Sequence, residues 1–296
     1  MFKRGHSFYL LLLLIFSFNG CVVIPSKIQL VDMDMEQGLV QVQKHCIYDS
    51  PASAIKVNTE LGRELDASHI SLLNWNIYKG QRSNWASDFS KFIQHHDIVI
   101  LQEAVLVKEL YQALNRQALN WSLNTAFYYD DAEAGVLSAS KVRALRRCGL
   151  RSEEPLIKIP KTMLITEYPL SDGLPNLLVA NIHAINFTIG TEAYELQIDL
   201  LTDAIAHHDG PVIVAGDFNT WSDRRMSIVE RMAERLSLNA VTYKNHNRLT
   251  IFGNPLDHVF YKGLKLIAEE NPRVSSSDHN PISVIFSVSP AQLVRI

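Results

Sequence analysis

The chain has 296 residues, 47% of them apolar and 20% charged, and a formal net charge of −3. That is enough apolar material for a sizeable core, in one large domain or two small ones. It supplies no basic face of the kind that binds nucleic acid nonspecifically, which disfavours a nucleic-acid substrate without excluding one, because a metal ion can bring positive charge locally. The three cysteines, Cys21, Cys46 and Cys148, form no CxxC pair, which argues against a structural zinc site.

Lys3, Arg4 and His6 precede an apolar run over residues 8–16. The run is short of the ~20 residues that span a bilayer, and with its basic start it reads as a secretory leader. Phe18-Asn19-Gly20-Cys21 resembles a bacterial lipobox, in which the cysteine becomes the lipidated first residue. Residues 1–21 are therefore expected as a signal peptide with Cys21 as the lipid anchor, which places the protein in the bacterial cell envelope. A cleaved ordinary signal and an uncleaved anchor are the alternatives; a cytoplasmic location is the alternative address. Export would put Cys46 and Cys148 in an oxidising space, where they are open to pairing. Residues 22–68 show weak periodicity and read as a tether or N-terminal arm. Residues 69–290 carry the globular pattern, with 291–296 as a tail.

Residues 70–77 open that domain as a strand with Asn76 near its end. Trp85, Phe89, Phe92 and Ile93 then recur at helical spacing, predicting an amphipathic helix over 84–95. Residues 97–101 form a second apolar strand, and Glu103 stands at its mouth. A carboxylate there needs a partner, and a metal ion or an arginine would serve. A helix is expected over 107–119 and strands over 135–140 and 161–166. The charged run 143–154 between them reads as a solvated edge, with Glu154 as the one member to watch. Residues 177–182 form a strand leading into His183, and Ala193, Leu196, Leu200 and Ala204 mark the next helix. The β-branched run Pro211-Val212-Ile213-Val214 ends in Ala215-Gly216-Asp217-Phe218-Asn219, which puts a carboxylate and an amide together at a strand's end. Trp221-Ser222-Asp223-Arg224-Arg225 opens a helix to about 236. Strands follow over 256–261, with Asp257 near the start, and over 282–288, preceded by Ser277-Asp278-His279-Asn280-Pro281.

Five blocks occur in order: Trp75-Asn76, Leu101-Gln102-Glu103, Ile182-His183, Gly216-Asp217-Phe218-Asn219 and Ser277-Asp278-His279-Asn280-Pro281. Together they resemble the endonuclease/exonuclease/phosphatase superfamily, the DNase I-like proteins. Within it, Asn76-Ile-Tyr-Lys-Gly-Gln-Arg, Asn181-Ile-His-Ala-Ile-Asn-Phe and the stretch 215–226 resemble the bacterial YafD-like proteins. The resemblance implies a four-layer α/β sandwich with two face-to-face mixed β-sheets. It implies metal-dependent phosphoester hydrolysis, with Asn76 and Glu103 holding Mg²⁺ or Mn²⁺. It further implies that His279, aligned by Asp278, takes a proton from the attacking water. Asp217 and Asn219 would orient the nucleophile and the phosphate. His183 would stabilise charge at phosphorus, Asp257 would support the site, and Glu154 is a candidate to pair with His183. Lys79, Asn186, Trp221 and Arg225 are candidate substrate contacts. The expected partner is a phosphoester, in nucleic acid, lipid or a small molecule, acted on by a monomer. A catalytically silent binding module of the same fold is the rival from another class.

Overall fold

The computed structural model describes residues 22–35, 38–42 and 63–288. The expected leader with Cys21, the stretch with Cys46, and the tail lie outside these residues.

In chain order the first strands are β1 (Val22–Val23), β2 (Leu30–Asp34), β3 (Gly38–Val42), β4 (Ile70–Asn76) and β5 (Ile98–Val105), with helix α1 (Trp85–Ile93) between the last two. Helix α2 (Lys108–Arg116) leads to β6 (Asn120–Tyr129), β7 (Ala132–Ser140), β8 (Arg146–Glu153), β9 (Pro160–Tyr168) and β10 (Leu177–His183). Then come α3 (Glu192–Ile205), β11 (Val212–Asp217), α4 (Asp223–Arg235) and the short strands β12 (Asn239–Ala240), β13 (Thr250–Ile251) and β14 (Asn254–Pro255). The chain closes through β15 (Asp257–Lys262), β16 (Lys265–Glu270) and β17 (Ile282–Ser287).

These strands make two large mixed sheets. One runs β16-β17-β4-β5-β7-β6-β2-β3, with β1 added along β6; the other runs β12-β15-β11-β10-β9-β8. Strands β4 and β5 are parallel, as are β10 and β11, and a helix crosses over in each case. The other pairings are antiparallel.

The alternation of side chains along each strand explains the layering. Ile70 and Leu72 of β4 and Ile98 and Ile100 of β5 meet Leu177 and Val179 of β10 and Ile213 and Ala215 of β11, filling the space between the sheets. The intervening residues Leu73, Trp75, Val99 and Leu101 turn outward against Phe89 and Ile93 of α1 and Leu110 and Leu114 of α2. On the opposite side Leu178, Ala180 and Val214 pack on Tyr194, Ile198 and Leu201 of α3 and Val229 and Met232 of α4. The result is helices, sheet, sheet, helices: the expected DNase I-like four-layer sandwich.

Two expectations change. The span read as a tether contributes β1–β3 to the first sheet, and Leu30 and Val31 are buried there. The run 143–154, read as a solvated edge, supplies strand β8 with Cys148 and Leu150 in the core. Its arginines are also used: Arg147 and Arg143 each lie 2.6 Å from the carboxylates of Asp32 and Asp34 on β2. The two surprises are one contact, since each charged edge is what the other pairs with. Cys148 is disulfide-bonded.

Candidate active site

The reactive side chains gather at one end of the sandwich, because both parallel pairs deliver their carboxyl ends there. Asn76 is the last residue of β4. Glu103 lies just past it on β5, where the pairing with β7 shifts register between Leu101 and Ala104. Glu103 sits at φ +51°, and the bulge re-aims its carboxylate out of the sheet. On the second sheet His183 ends β10 and stands opposite Asp217, which ends β11. Asp257 opens β15 opposite Asp217 on the other side. His279 comes from the loop before β17. The Trp75 indole donates to the His279 carbonyl at 2.9 Å, and Ser277 Oγ donates to the Asn76 carbonyl at 2.7 Å while accepting from the His279 N–H at 3.2 Å. Core packing thus fixes where the imidazole sits.

Asp217 is the meeting point. Asn76 Nδ2 donates to its Oδ2 at 3.0 Å, and the Asn219 N–H donates to its Oδ1 at 3.0 Å. The Nε2 atoms of His183 and His279 lie 3.6 and 3.9 Å from Oδ2. His279 Nδ1 contacts Asp257 Oδ2 at 2.7 Å. On the facing sheet Glu103 Oε2 receives the Lys79 ammonium at 2.5 Å, and Glu103 Oε1 is 4.0 Å from His183. Lys161, near the start of β9, places its Nζ 2.8 Å from His183 Nε2.

Burial and charge set the protonation states. Burial alone would raise the Glu103 pKa, but Lys79, then His183 and Lys161, outweigh it and hold the carboxyl down to about 2. Burial lowers His183 well below the usual imidazole value, and Lys161 pushes it further the same way, so the ring is neutral. Burial likewise opposes charge on His279, yet Asp257 and Asp217 prevail and raise it to about 10. Asp217 is raised by burial, with Asp257 adding to the effect against the pull of His279.

The structure brings together Asn76, Glu103, His183, Asp217, Asn219, Asp257 and His279, and it reassigns several partners. The carboxylate on His279 Nδ1 is Asp257; Asp278, expected in that place, touches Ser277 Oγ at 3.3 Å. Glu154 does not pair with His183. It is buried behind the site and accepts the backbone N–H groups of Asn186 and Phe187, at 2.6 and 2.5 Å. Arg225, expected at the substrate, is fully buried. Its guanidinium donates to the carbonyls of Ile185, Asn186 and Asn219, so it pins the loop behind His183 instead. Trp221 Nε1 donates to Asn186 Oδ1 at 3.1 Å, both at the rim, and Lys79 is engaged with Glu103.

Lys161 lies in no sequence motif, and the buried amides Gln102 and Asn181 fall inside the blocks above with no role that the sequence assigns. Gln102 donates to Asn74 and to Asn181 at 2.9 and 2.8 Å, tying the two sheets beneath the site.

An ionised, half-buried glutamate and an amide oxygen at the ends of neighbouring strands are hard donors that fit Mg²⁺ or Mn²⁺ keeping several of its waters. Among the described residues no group of three or more His, Cys, Asp or Glu side chains is placed to hold a metal ion.

Residues 73–279 match the model of the Endonuclease/Exonuclease/phosphatase family, and the chain belongs to that family, a class of phosphoester hydrolases. Among relatives, it is 38% identical over 275 residues to UPF0294 protein VV2535 of Vibrio vulnificus (strain YJ016), covering 93% of each chain. Among solved structures, it resembles the human Nocturnin catalytic domain (TM-score 0.57, 16% identity, 77% of this chain and 97% of that one). It also resembles ANGEL2, a 2′,3′-cyclic phosphatase (TM-score 0.56, 16% identity, 76% and 97%). An endonuclease/exonuclease/phosphatase family protein from Bacteroides thetaiotaomicron is similar to the same degree (TM-score 0.57, 16% identity, 75% and 98%).

Proposed function

We propose that this chain is a Mg²⁺- or Mn²⁺-dependent phosphodiesterase that uses a His279–Asp257 pair to activate water. The observation that carries it is the row Asp257, Asp217, His183 across three adjacent strands, with His279 hung on one end and the hard donors Asn76 and Glu103 facing it. Asp257 fixes the tautomer and orientation of His279, leaving Nε2 to take the proton from water. Asn219, held by its Nδ2 bond to the Ala184 carbonyl at 3.0 Å, stands beside Asp217 to position phosphate oxygens. A divalent ion held by Glu103 and Asn76 would neutralise charge on the phosphoryl oxygens. The remainder of catalysis is positioning by a rigid polar frame.

The test is incubation of residues 22–296 with supercoiled plasmid, with and without Mg²⁺, beside Asp217→Ala. Nicking that needs both metal and Asp217 is the expected result. A lipid phosphodiester is the second reading, and one observation favours it: Ile189 and Phe252 are strongly exposed, Phe252 lying against Trp221 at the rim. Intact plasmid together with metal-dependent release of headgroup from phospholipid vesicles would select it. Inertness on both would leave the silent module.

We infer an envelope address from the basic leader and Cys21, and a disulfide at Cys148 suits an oxidising space. Metabolic labelling with palmitate should tag the wild type and spare Cys21→Ser. Absence of label in both would end the lipoprotein reading.

A further inference from the structure

We propose that Lys161 is a catalytic residue of this site, the fixed cation that meets the departing oxygen of the phosphodiester. The inference rests on the phosphodiesterase reading above.

The sequence suggested a carboxylate partner for His183, but the structure puts an ammonium there. Met163 of β9 stands opposite Ile182 of β10, which brings Lys161, two residues nearer the start of β9, to the end of β10. Its Nζ donates to His183 Nε2 at 2.8 Å. An ammonium can only donate, so Nε2 accepts this bond and His183 has no Nε2–H to offer substrate. An ammonium has three donors, and His183 takes one of them. Among the described residues no carboxylate lies within ion-pair distance of Lys161, whereas Lys79, the other lysine of the site, is bonded to Glu103. Lys161 is thus a cation hydrogen-bonded to a histidine, with the carboxylates of Glu103 and Asp217 in its field but not paired with it.

Its place in the row gives its role. In-line displacement puts the attacking water and the leaving oxygen on opposite sides of phosphorus. Strand order at the site is β15, β11, β10, β9. His279, tied to Asp257 of β15, occupies one end; Lys161 of β9 occupies the other. Both imidazoles approach the same Asp217 oxygen, at 3.9 and 3.6 Å, so the row is compact enough to bracket one phosphate. Water attacks from the His279 end and gives it a proton as the new O–P bond forms. The P–O bond on the far side breaks, and the oxygen leaves with its electron pair. Lys161 holds that negative charge until solvent supplies a proton. His183 is then a positioning residue that aims Lys161.

The test uses the full chain with Mg²⁺ and a series of methyl aryl phosphodiesters running from 4-nitrophenyl to phenyl. A fixed cation at the leaving oxygen matters most when that oxygen leaves with the most charge. Lys161→Met should slow the phenyl ester by roughly 10²–10³-fold, the usual loss for one preorganised electrostatic donor, and the 4-nitrophenyl ester by under ~10-fold. Lys161→Arg should restore most of the loss on the phenyl ester. Lys161→Gln repeats the measurement should methionine unfold the strand, as judged by circular dichroism. An equal loss on every ester, or none, would overturn the role of Lys161 while the Asp217→Ala control keeps the phosphodiesterase reading standing. A wild type inert on the whole series would sink both.

Discussion

At the scale of single residues, the site is governed by which charge stands next to which imidazole. Asp257 and Asp217 hold a proton on His279, whereas burial and Lys161 keep His183 neutral. A general base works unprotonated, so kcat/KM should rise with pH as His279 loses its proton. Asp257 is the larger of the two raising charges. Asp257→Asn should therefore lower the His279 value and shift the rising limb of the profile to lower pH by about one to two units. The plateau should fall as well, because Nδ1 loses its acceptor. A limb that stays in place would take His279 out of the base role. Most of these residues stand out in the sequence: Asp217 and Asn219 lie just after an apolar strand, and His279 lies in a polar block just before one. Their partners do not. Glu154, Asp257 and Asp278 are equivalent as letters, and only the strand register decides which carboxylate reaches which ring. Lys161 looks like any lysine opening a strand, and its one distinguishing mark, a partner two strands' worth of sequence away, is a tertiary fact.

At the scale of elements, the candidate site depends on how closely β10 and β11 approach. Gly216 sits at φ +150°, and a Cβ there would fall 2.0 Å from the Ile182 carbonyl oxygen. Any side chain must push the strands apart between His183 and Asp217. Gly216→Ala should cost ~3 kcal/mol of stability, as overpacking of a rigid interior does, and depress activity along with it. Urea unfolding measures the first; an unchanged midpoint would mean the strands can separate freely. Elements with apolar runs, such as β4, β10 and β11, and stripes such as Trp85, Phe89 and Ile93, are visible in the sequence because burial on one or both faces leaves a period. Strands β2 and β8 are not. Asp32 and Asp34 of β2 are buried against Arg147 of β8 and Arg143 just before it, and these residues are charged because they answer one another across more than a hundred residues. A local window sees only a polar stretch.

At the scale of the whole molecule, the resemblance of ordered blocks carried the fold further than periodicity did. Periodicity announced strands alternating with helices, which is compatible with several α/β architectures. The buried amides Gln102 and Asn181, bonded across the sheets, show what fixes this one: polar groups that find partners only when the two layers dock in a single register. That division of the site between layers has a consequence for how the protein is made. Asn76 and Glu103 belong to the earlier half of the chain, His183, Asp217 and Asp257 to the later, and His279 arrives close to the end of the 296 residues. A growing polypeptide on the ribosome therefore lacks part of this candidate site until His279 has been added, and the two layers that carry it can dock only after nearly the whole chain has been made.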